Sequence, residues 1–177
     1  QREIHDISSG NKPFDPVYLI MKKELAEALK ARHIMTGVSS YCDLVDVKDE
    51  SWSKAIEAYI YNQKFNLFVD EDAYEEACQE LAKICRVHGF YQIAIVDTAK
   101  LLDRGFEAEE GSVAEEIETS HSGARVYTDF LLGNLMKCDT FAEARSSGNG
   151  LLRDCTGYRN YASFYLNERR GSLRYLG

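Results

Sequence analysis

Acidic side chains at the ends of predicted strands are the residues of this sequence that could do chemistry. Asp70 and Asp72 follow one apolar run, and Asp97 follows the run at 91–96, with Lys100 three residues later. The sheets of α/β proteins place their sites at the carboxyl ends of strands, and carboxylate oxygens are ligands that Mg²⁺ prefers. One interpretation is therefore a magnesium-dependent signalling or catalytic site.

Helix capping explains the same acids without a ligand. Acidic residues favour the first turn of a helix, because the helix dipole and the free N–H groups there attract negative charge. A receiver-like site also needs paired acids after its first strand, and Asp46 and Asp49 supply them only loosely. Capping is thus the favoured interpretation, and a receiver-like α/β domain is the alternative.

The sequence lacks the common motifs for nucleotide binding and nucleophilic catalysis. None of its twelve glycines is followed by lysine, so there is no P-loop, and the segment 148–150 supplies only half of a GxGxxG motif. There is no GxSxG, and the four histidines lie in unrelated contexts. Five cysteines without a CxxC pair indicate reduced thiols. We therefore expect no enzymatic activity, no cofactor and no metal in this chain.

The C-terminal tail, residues 151–177, concentrates arginine and tyrosine. It contains five arginines and two carboxylates, whereas the whole chain has a net charge of −8. Guanidinium groups bind phosphates and exposed aromatic rings stack on bases, so weak DNA contact is one hypothesis and a solvated hairpin face is the other. The candidate DNA-binding residues are Arg159, Arg169, Arg170 and Arg174.

Self-association is the second hypothesis for the tail. Its alternating pattern predicts two or three antiparallel strands with a turn near 167–171. A strand at a sheet edge leaves N–H and C=O groups unpaired, and a second copy would satisfy them. Tyrosine is enriched at interfaces, and the candidate interface residues are Tyr158, Tyr161, Tyr165 and Tyr175. The competing interpretation is a tail that folds back on its own chain and leaves a monomer.

Alternating helices and strands must position these residues. Apolar spacing predicts an αβαβαβ order, which favours an α/β lobe with a largely parallel sheet. The predicted helices cover 17–33, 51–62 and 73–88, and the predicted strands cover 41–47, 65–69 and 91–96. A helical region from about Ser112, with a break near Ser122, a strand at 135–138, a helix at 140–145 and the tail strands follow.

Two small lobes are the predicted organisation, within an α/β (mixed α+β) fold. The segment 103–112 separates them, because it holds two glycines and four acids. The predicted parts are a flexible lead-in at 1–16, a first lobe at 17–110 and a second lobe at 111–177.

Composition places the chain among globular proteins. It has 177 residues, of which 45% are hydrophobic and 28% charged. No apolar run is long enough for a membrane helix and the start lacks a secretory signal, so we expect a cytoplasmic protein without a membrane partner. The acidic net charge discourages broad nucleic-acid binding but leaves room for a local basic patch.

Short motifs lie in a characteristic order along residues 17–177. In the first half they are Gly37-Val38, Asp43–Val47, Asp49-Glu50, Trp52, Ala55–Ala58, Phe65–Val69 and Tyr74–Ala77. In the second half they are Gly111–Glu116, Ala124–Tyr127, Leu131–Asn134, Lys137–Asp139 and Tyr175–Gly177. Together they resemble the hinge domain of structural maintenance of chromosomes (SMC) proteins, most closely the SMC-like bacterial ATPases of the SbcC and Wadjet (JetC) type. The tail departs from the pattern, because its glycines are isolated where many SMC hinges have a glycine-rich turn.

The resemblance implies a specific function. In such proteins the hinge forms a homodimer that links two coiled-coil arms, and the ATPase heads lie at the far ends of the arms. It implies a parent protein that binds ATP and acts with accessory subunits in chromosome segregation or plasmid defence. The hinge itself is expected to have no ATP site and to contact DNA weakly at most.

Overall fold

The computed structural model describes residues 12–177 as a mixed α+β fold. The predicted lead-in at 1–16 therefore lies mostly outside the described residues. The described α-helices are α1 (Pro16–Ala31), α2 (Tyr41–Leu44), α3 (Ser53–Ile60), α4 (Tyr74–His88), α5 (Thr98–Arg104), α6 (Ser122–Leu132) and α7 (Phe141–Ser147). The strands are β1 (Ser39–Ser40), β2 (Asp46–Val47), β3 (Leu67–Phe68), β4 (Ile117–Glu118), β5 (Met136–Lys137), β6 (Asn149–Leu151), β7 (Thr156–Arg159) and β8 (Ala162–Tyr165). None of the helices in this part of the chain combines the length and the hydropathy needed to cross a bilayer.

The strands form small sheets, so the predicted largely parallel sheet is wrong. Strands β1 and β3 pair antiparallel, and so do β2 and β4. A four-stranded sheet has the order β5-β6-β7-β8, in which β5 and β6 form the parallel pair. Two-residue strands make few backbone hydrogen bonds with each other, so the first half is stabilised mainly by side-chain packing.

The three predicted helices of the first half are confirmed as α1, α3 and α4. Asp15 caps α1, because its carboxylate accepts a hydrogen bond from the N–H of Val17 at 2.8 Å and Pro16 occupies the first helical position. Gly89 ends α4 with a positive φ of 63°, the left-handed conformation that favours glycine. The amphipathic spacing of apolar residues, together with residue types that favour helix starts and ends, thus predicted these helices correctly.

The predicted strands of the first half are shorter than expected. The segment 41–47 begins with the one-turn helix α2, and only Asp46–Val47 is a strand. The helical turn directs Tyr41 into the core, where its hydroxyl shares a 2.6 Å hydrogen bond with Thr128. The segment 65–69 keeps two strand residues, and 91–96 is extended with a single bridge from Ile95 to Leu67.

The second half also differs in detail from the prediction. The chain near Ser112 enters a 3₁₀ turn (Val113–Glu116) and then β4, and α6 begins at Ser122 where a break was predicted. The turn predicted near 167–171 is a 3₁₀ turn (Glu168–Gly171). The tail hairpin instead turns at Asn160 and Tyr161, both with positive φ, which matches the two-residue turn that suits twisted strands.

Two large hydrophobic cores and one small cluster around Cys138, Ala144 and Leu152 hold the described chain together. The main core joins α2, α3 and α6 to the tail, and it includes Tyr41, Trp52, Ile56, Leu132 and Leu176. The second core lies between α1 and α4, and it includes Met21, Leu25, Leu29, Leu81 and Ile84. The main core takes residues from both sides of the 103–112 segment, and the division at 110/111 stays a prediction.

Candidate functional site

Strand β8 lies at the end of the four-stranded sheet, with β7 on one side. A two-residue turn joins β7 to β8, so the residues that flank it, Arg159 and Ala162, form a hydrogen-bonded pair. Hydrogen-bonded and non-hydrogen-bonded pairs alternate along the hairpin from this pair. The N–H groups of Ser163 and Tyr165 therefore point away from β7. We call this side of β8 the open edge. Beside it, the Tyr161 side chain is 95% exposed and that of Tyr165 is 77% exposed.

Among the described residues, the segment 91–95 is a second stretch of backbone that is paired on one side only. Leu67 of β3 donates its N–H to Ala94 and accepts from the N–H of Val96, at 2.8 and 2.9 Å. The peptide groups of Ile93 and Ile95 consequently face the other side. Within residues 12–177, no backbone partner accepts from the N–H groups of 91–95. This segment has the composition of a strand and lacks a neighbouring strand on its outer side.

The four candidate tyrosines lie in three different environments. Tyr161 and Tyr165 flank the open edge and are exposed, whereas Tyr158 is half-buried with its ring 6.1 Å from that of Phe141. Tyr175 is buried in the main core, its ring 4.9 Å from that of Phe65. Of these four tyrosines, Tyr161 and Tyr165 are therefore the two with largely exposed rings.

The candidate arginines also divide into two groups. Arg159 donates to the Tyr59 hydroxyl at 2.6 Å and lies over the Tyr59 ring, and Arg174 forms an ion pair with Glu50. Arg169 and Arg170 sit on the 3₁₀ turn, and neither makes an ion pair with a described residue. Among the described residues, Arg174 is thus the candidate arginine with a carboxylate partner, whereas Arg159, Arg169 and Arg170 have none.

A buried ion pair ties the end of the tail to α3. The carboxylate of Glu57 accepts from Lys64 Nζ at 2.5 Å, and its other oxygen accepts from the N–H groups of Tyr175 and Leu176 at 2.7 Å each. Glu57 is 0% and Lys64 1% exposed. We call this group the Glu57 anchor. The sequence-based predictions do not include this group; its sign in the sequence is a glutamate and a lysine seven residues apart beside an apolar stripe.

The two described ends of the chain meet at this anchor. The Tyr175 hydroxyl donates to the carbonyl oxygen of Pro13 at 2.8 Å, and the ring of Phe14 lies 5.6 Å from that of Tyr175. The entry into α1 and the end of the tail therefore run side by side.

The acids that suggested a magnesium site do not converge. Asp97 caps α5 by accepting from the N–H of Lys100 at 3.2 Å, which confirms the capping interpretation at this position. Asp97 and Lys100 line one groove, whereas Asp70 and Asp72 line another. In the described part of the chain, no three His, Cys, Asp or Glu side chains are grouped to hold a metal ion.

Burial raises the pKa of several core groups. Desolvation raises the pKa of Cys42 to about 12, and it also raises the pKa values of Tyr41 and Tyr127. These groups stay neutral at physiological pH, as expected for packed side chains. They lie beneath the surfaces described above and offer no activated nucleophile.

Comparison with solved structures identifies the fold. The chain is similar to the Pyrococcus furiosus Smc hinge domain with an extended coiled coil, with a TM-score of 0.60 and 20% identity over 82% of this chain. A Geobacillus stearothermophilus SMC hinge domain, described as an asymmetric dimer, gives 0.60 and 17% over 92% of this chain and 68% of that one. A further P. furiosus SMC hinge structure gives 0.58 and 19%, covering 86% of this chain and 89% of that one.

The similarity shows the mixed α+β fold of SMC hinge domains and confirms the predicted fold. This chain spans 54% of the length of the first of these structures. No protein-family model matches the sequence, and no curated protein matches it.

Proposed function

We propose that this chain is the dimerisation hinge of an SMC-like protein. The observation that carries the proposal is the pair of unpaired backbones, the open edge of β8 and the segment 91–95, on a hinge-like fold. In a two-fold dimer, β8 of one copy pairs with 91–95 of the other, and the same contact occurs twice. This arrangement satisfies the outward N–H groups of both segments.

The side chains beside these edges suit an interface. Tyr161 and Tyr165 are largely exposed, and Tyr91 on the other segment is 67% exposed. Aromatic rings supply contact area at low conformational cost, because they have few rotatable bonds. Of the four candidate tyrosines, we assign Tyr161 and Tyr165 to direct contact, Tyr158 to a supporting position, and Tyr175 to the core beneath.

The proximity of the two described ends, at Pro13 and Tyr175, supports the attachment of two arms. Arms that form one coiled coil leave their domain close together, and the hydrogen bond from Tyr175 to Pro13 brings the two ends together. The lobes at 17–110 and 111–177 are part of this proposal, with one edge contributed by each.

The sequence motifs support a parent ATPase of the SbcC or JetC type. In this proposal ATP is bound and hydrolysed in heads at the far ends of the arms, and the hinge has no catalytic role. The parent would act in the cytoplasm with accessory subunits, in chromosome segregation or plasmid defence. A weak DNA contact of the arginine tail belongs to the same proposal.

Light scattering across a hundredfold range of concentration tests dimerisation. A monomer has a mass of 20.1 kDa, and we expect the mass to approach twice that value as the concentration rises. A constant mass of one chain at the highest concentration would refute the hinge-dimer function for this segment.

A further inference from the structure

One groove on the described surface is lined by basic residues and no acidic one. It encloses about 460 Å³ between the 3₁₀ turns at 61–65 and 168–171, and Lys64, Arg169 and Arg170 contribute to its lining. The amides of Asn62 and Asn167 line it as well. On a chain of net charge −8, a concave surface without a carboxylate is a local positive region.

The positive charge of this groove comes from two arginines. Lys64 is neutralised by Glu57 in the buried pair, and the neighbouring Glu168 is engaged by Lys54 at 2.7 Å. Arg169 and Arg170 have no ion pair with any residue of 12–177. Two uncompensated guanidinium groups on successive residues are suited to an oxyanion, because each can donate two parallel hydrogen bonds.

The turn that carries these arginines is held in place before any ligand arrives. The Asn167 side chain accepts from the N–H of Arg169 at 3.0 Å, and the guanidinium of Arg170 lies 4.1 Å from the centre of the Tyr61 ring. Gly171 packs against the backbone of Lys54 on α3, where a side chain would clash. A fixed turn lowers the entropic cost of binding.

A second groove continues from the first and is aromatic. It encloses about 430 Å³ and shares Asn62, Phe65 and Tyr175 with the basic groove. Phe14 and Phe90 extend its lining, which also includes Asp15, the residue that caps α1. The combined groove therefore offers a phosphate-sized charge at one end and room for a flat or apolar group at the other.

We propose that Arg169 and Arg170 bind the phosphate of a phosphate ester whose organic part occupies the adjoining aromatic groove. A free nucleotide and one unit of a nucleic-acid strand share this chemistry. The inference rests on the proposed DNA contact and narrows it to two of the four candidate arginines. Arg159 and Arg174 line neither groove, and Arg174 is also paired with Glu50, so they contribute little.

Two double variants of equal charge change test the assignment. The binding of a fluorescent ten-nucleotide thymidine strand is measured by anisotropy at low salt for wild type, for Arg169→Ala with Arg170→Ala, and for Arg159→Ala with Arg174→Ala. We expect the first variant to bind at least about tenfold more weakly and the second to stay within about twofold of wild type. Equal losses in both variants would overturn the proposal, since they indicate a diffuse charge effect.

Competitors separate the possible sources of the phosphate. Thymidine 5′-monophosphate should displace the strand at a lower concentration than inorganic phosphate, because its organic part fills the aromatic groove. If the nucleotide binds in an Arg169- and Arg170-dependent manner and the strand does not, the phosphate site stands and the DNA contact fails. If neither binds, or inorganic phosphate competes as well as the nucleotide, the proposed site is wrong. Light scattering on the same samples shows independently whether dimerisation is intact.

Discussion

At the Glu57 anchor and at the open edge of β8, backbone N–H groups of the same tail have opposite environments. At the anchor, the N–H groups of Tyr175 and Leu176 are buried and bound by a carboxylate. At the open edge, the N–H groups of Ser163 and Tyr165 face outward beside exposed aromatic rings. The contrast separates the part of the tail that stabilises the fold from the part that is available to a partner.

Removing the carboxylate of the Glu57 anchor is the test of this contrast with the largest expected effect. Glu57→Ala leaves Lys64 as a buried unpaired charge and two buried N–H groups without an acceptor. We expect a loss of about 3–5 kcal/mol in the free energy of unfolding, measured with urea. Glu168→Gln is the control, because the Lys54–Glu168 pair is exposed and its loss should change little. Similar stabilities for Glu57→Ala and wild type would show that the anchor does not stabilise the fold.

Alkaline pH is expected to lower the stability of the core directly and to affect the open edge only secondarily. Burial raises the pKa values of Tyr18, Tyr41 and Cys42 above their ordinary values, so their neutral forms are favoured in the folded state. The stability that they contribute is fully present below the ordinary pKa of about 8.5–10 and is lost as the pH rises above it. Urea midpoints measured from pH 7 to 11 should fall steadily above pH 9. Midpoints that stay constant to pH 11 would contradict this assignment.

Blocking the open edge tests association without disturbing the anchor. Ser163→Pro removes an N–H that points away from β7, so it breaks no backbone hydrogen bond of the hairpin and prevents pairing with a second copy. Like the valine control below, it also removes the Ser163 hydroxyl, which accepts from the Tyr165 hydroxyl at 3.1 Å. We expect at least about a tenfold weaker dimer in sedimentation or light scattering, with a small change in urea midpoint. Ser163→Val keeps the N–H and should dimerise like wild type. Dimerisation of the proline variant at wild-type strength would move the interface elsewhere.

A substitution at the tip of the β7–β8 hairpin is expected to have the smallest effect on stability and dimerisation. Tyr161 has a φ of 63°, which glycine adopts more easily, so Tyr161→Gly should stabilise the isolated chain by about 0.5 kcal/mol. The same change removes an exposed ring beside the open edge, and the dimer should weaken by a few-fold. Unfolding at low concentration and mass at high concentration measure the two effects separately. A dimer that strengthens with this variant would place Tyr161 outside the interface.

Local patterns predicted the helices well, because their signals lie within each segment. The Asp15-Pro16 start of α1 and the Gly89 end of α4 are examples. The strand predicted at 91–96 failed for a different reason. Its composition suits a strand, but the single chain offers it one bridge through Leu67, so strand propensity is visible in the sequence while the partner is not.

The Glu57 anchor could not be assembled from local patterns. Its carboxylate binds the backbone of Tyr175 and Leu176, which lie more than a hundred residues further along the chain. Helix α2 was missed for a similar reason, because the burial of Tyr41 against Thr128 decides its conformation. The spacing of Glu57 and Lys64 is visible in the sequence, but distant contacts such as those to Tyr175, Leu176 and Thr128 are not.

The contact between the two described ends, at Pro13 and Tyr175, has a mechanical consequence. If arms pull on the chain next to Pro13 and beyond Leu176, the load enters at neighbouring points and acts to peel the ends apart. The hydrogen bond from Tyr175 to Pro13 then opens first, and the tension next reaches the N–H groups held by Glu57. Bonds loaded one after another yield at lower force than bonds loaded together. In the proposed hinge, the Glu57 anchor is thus the point at which tension from the two arms would pass into the folded core.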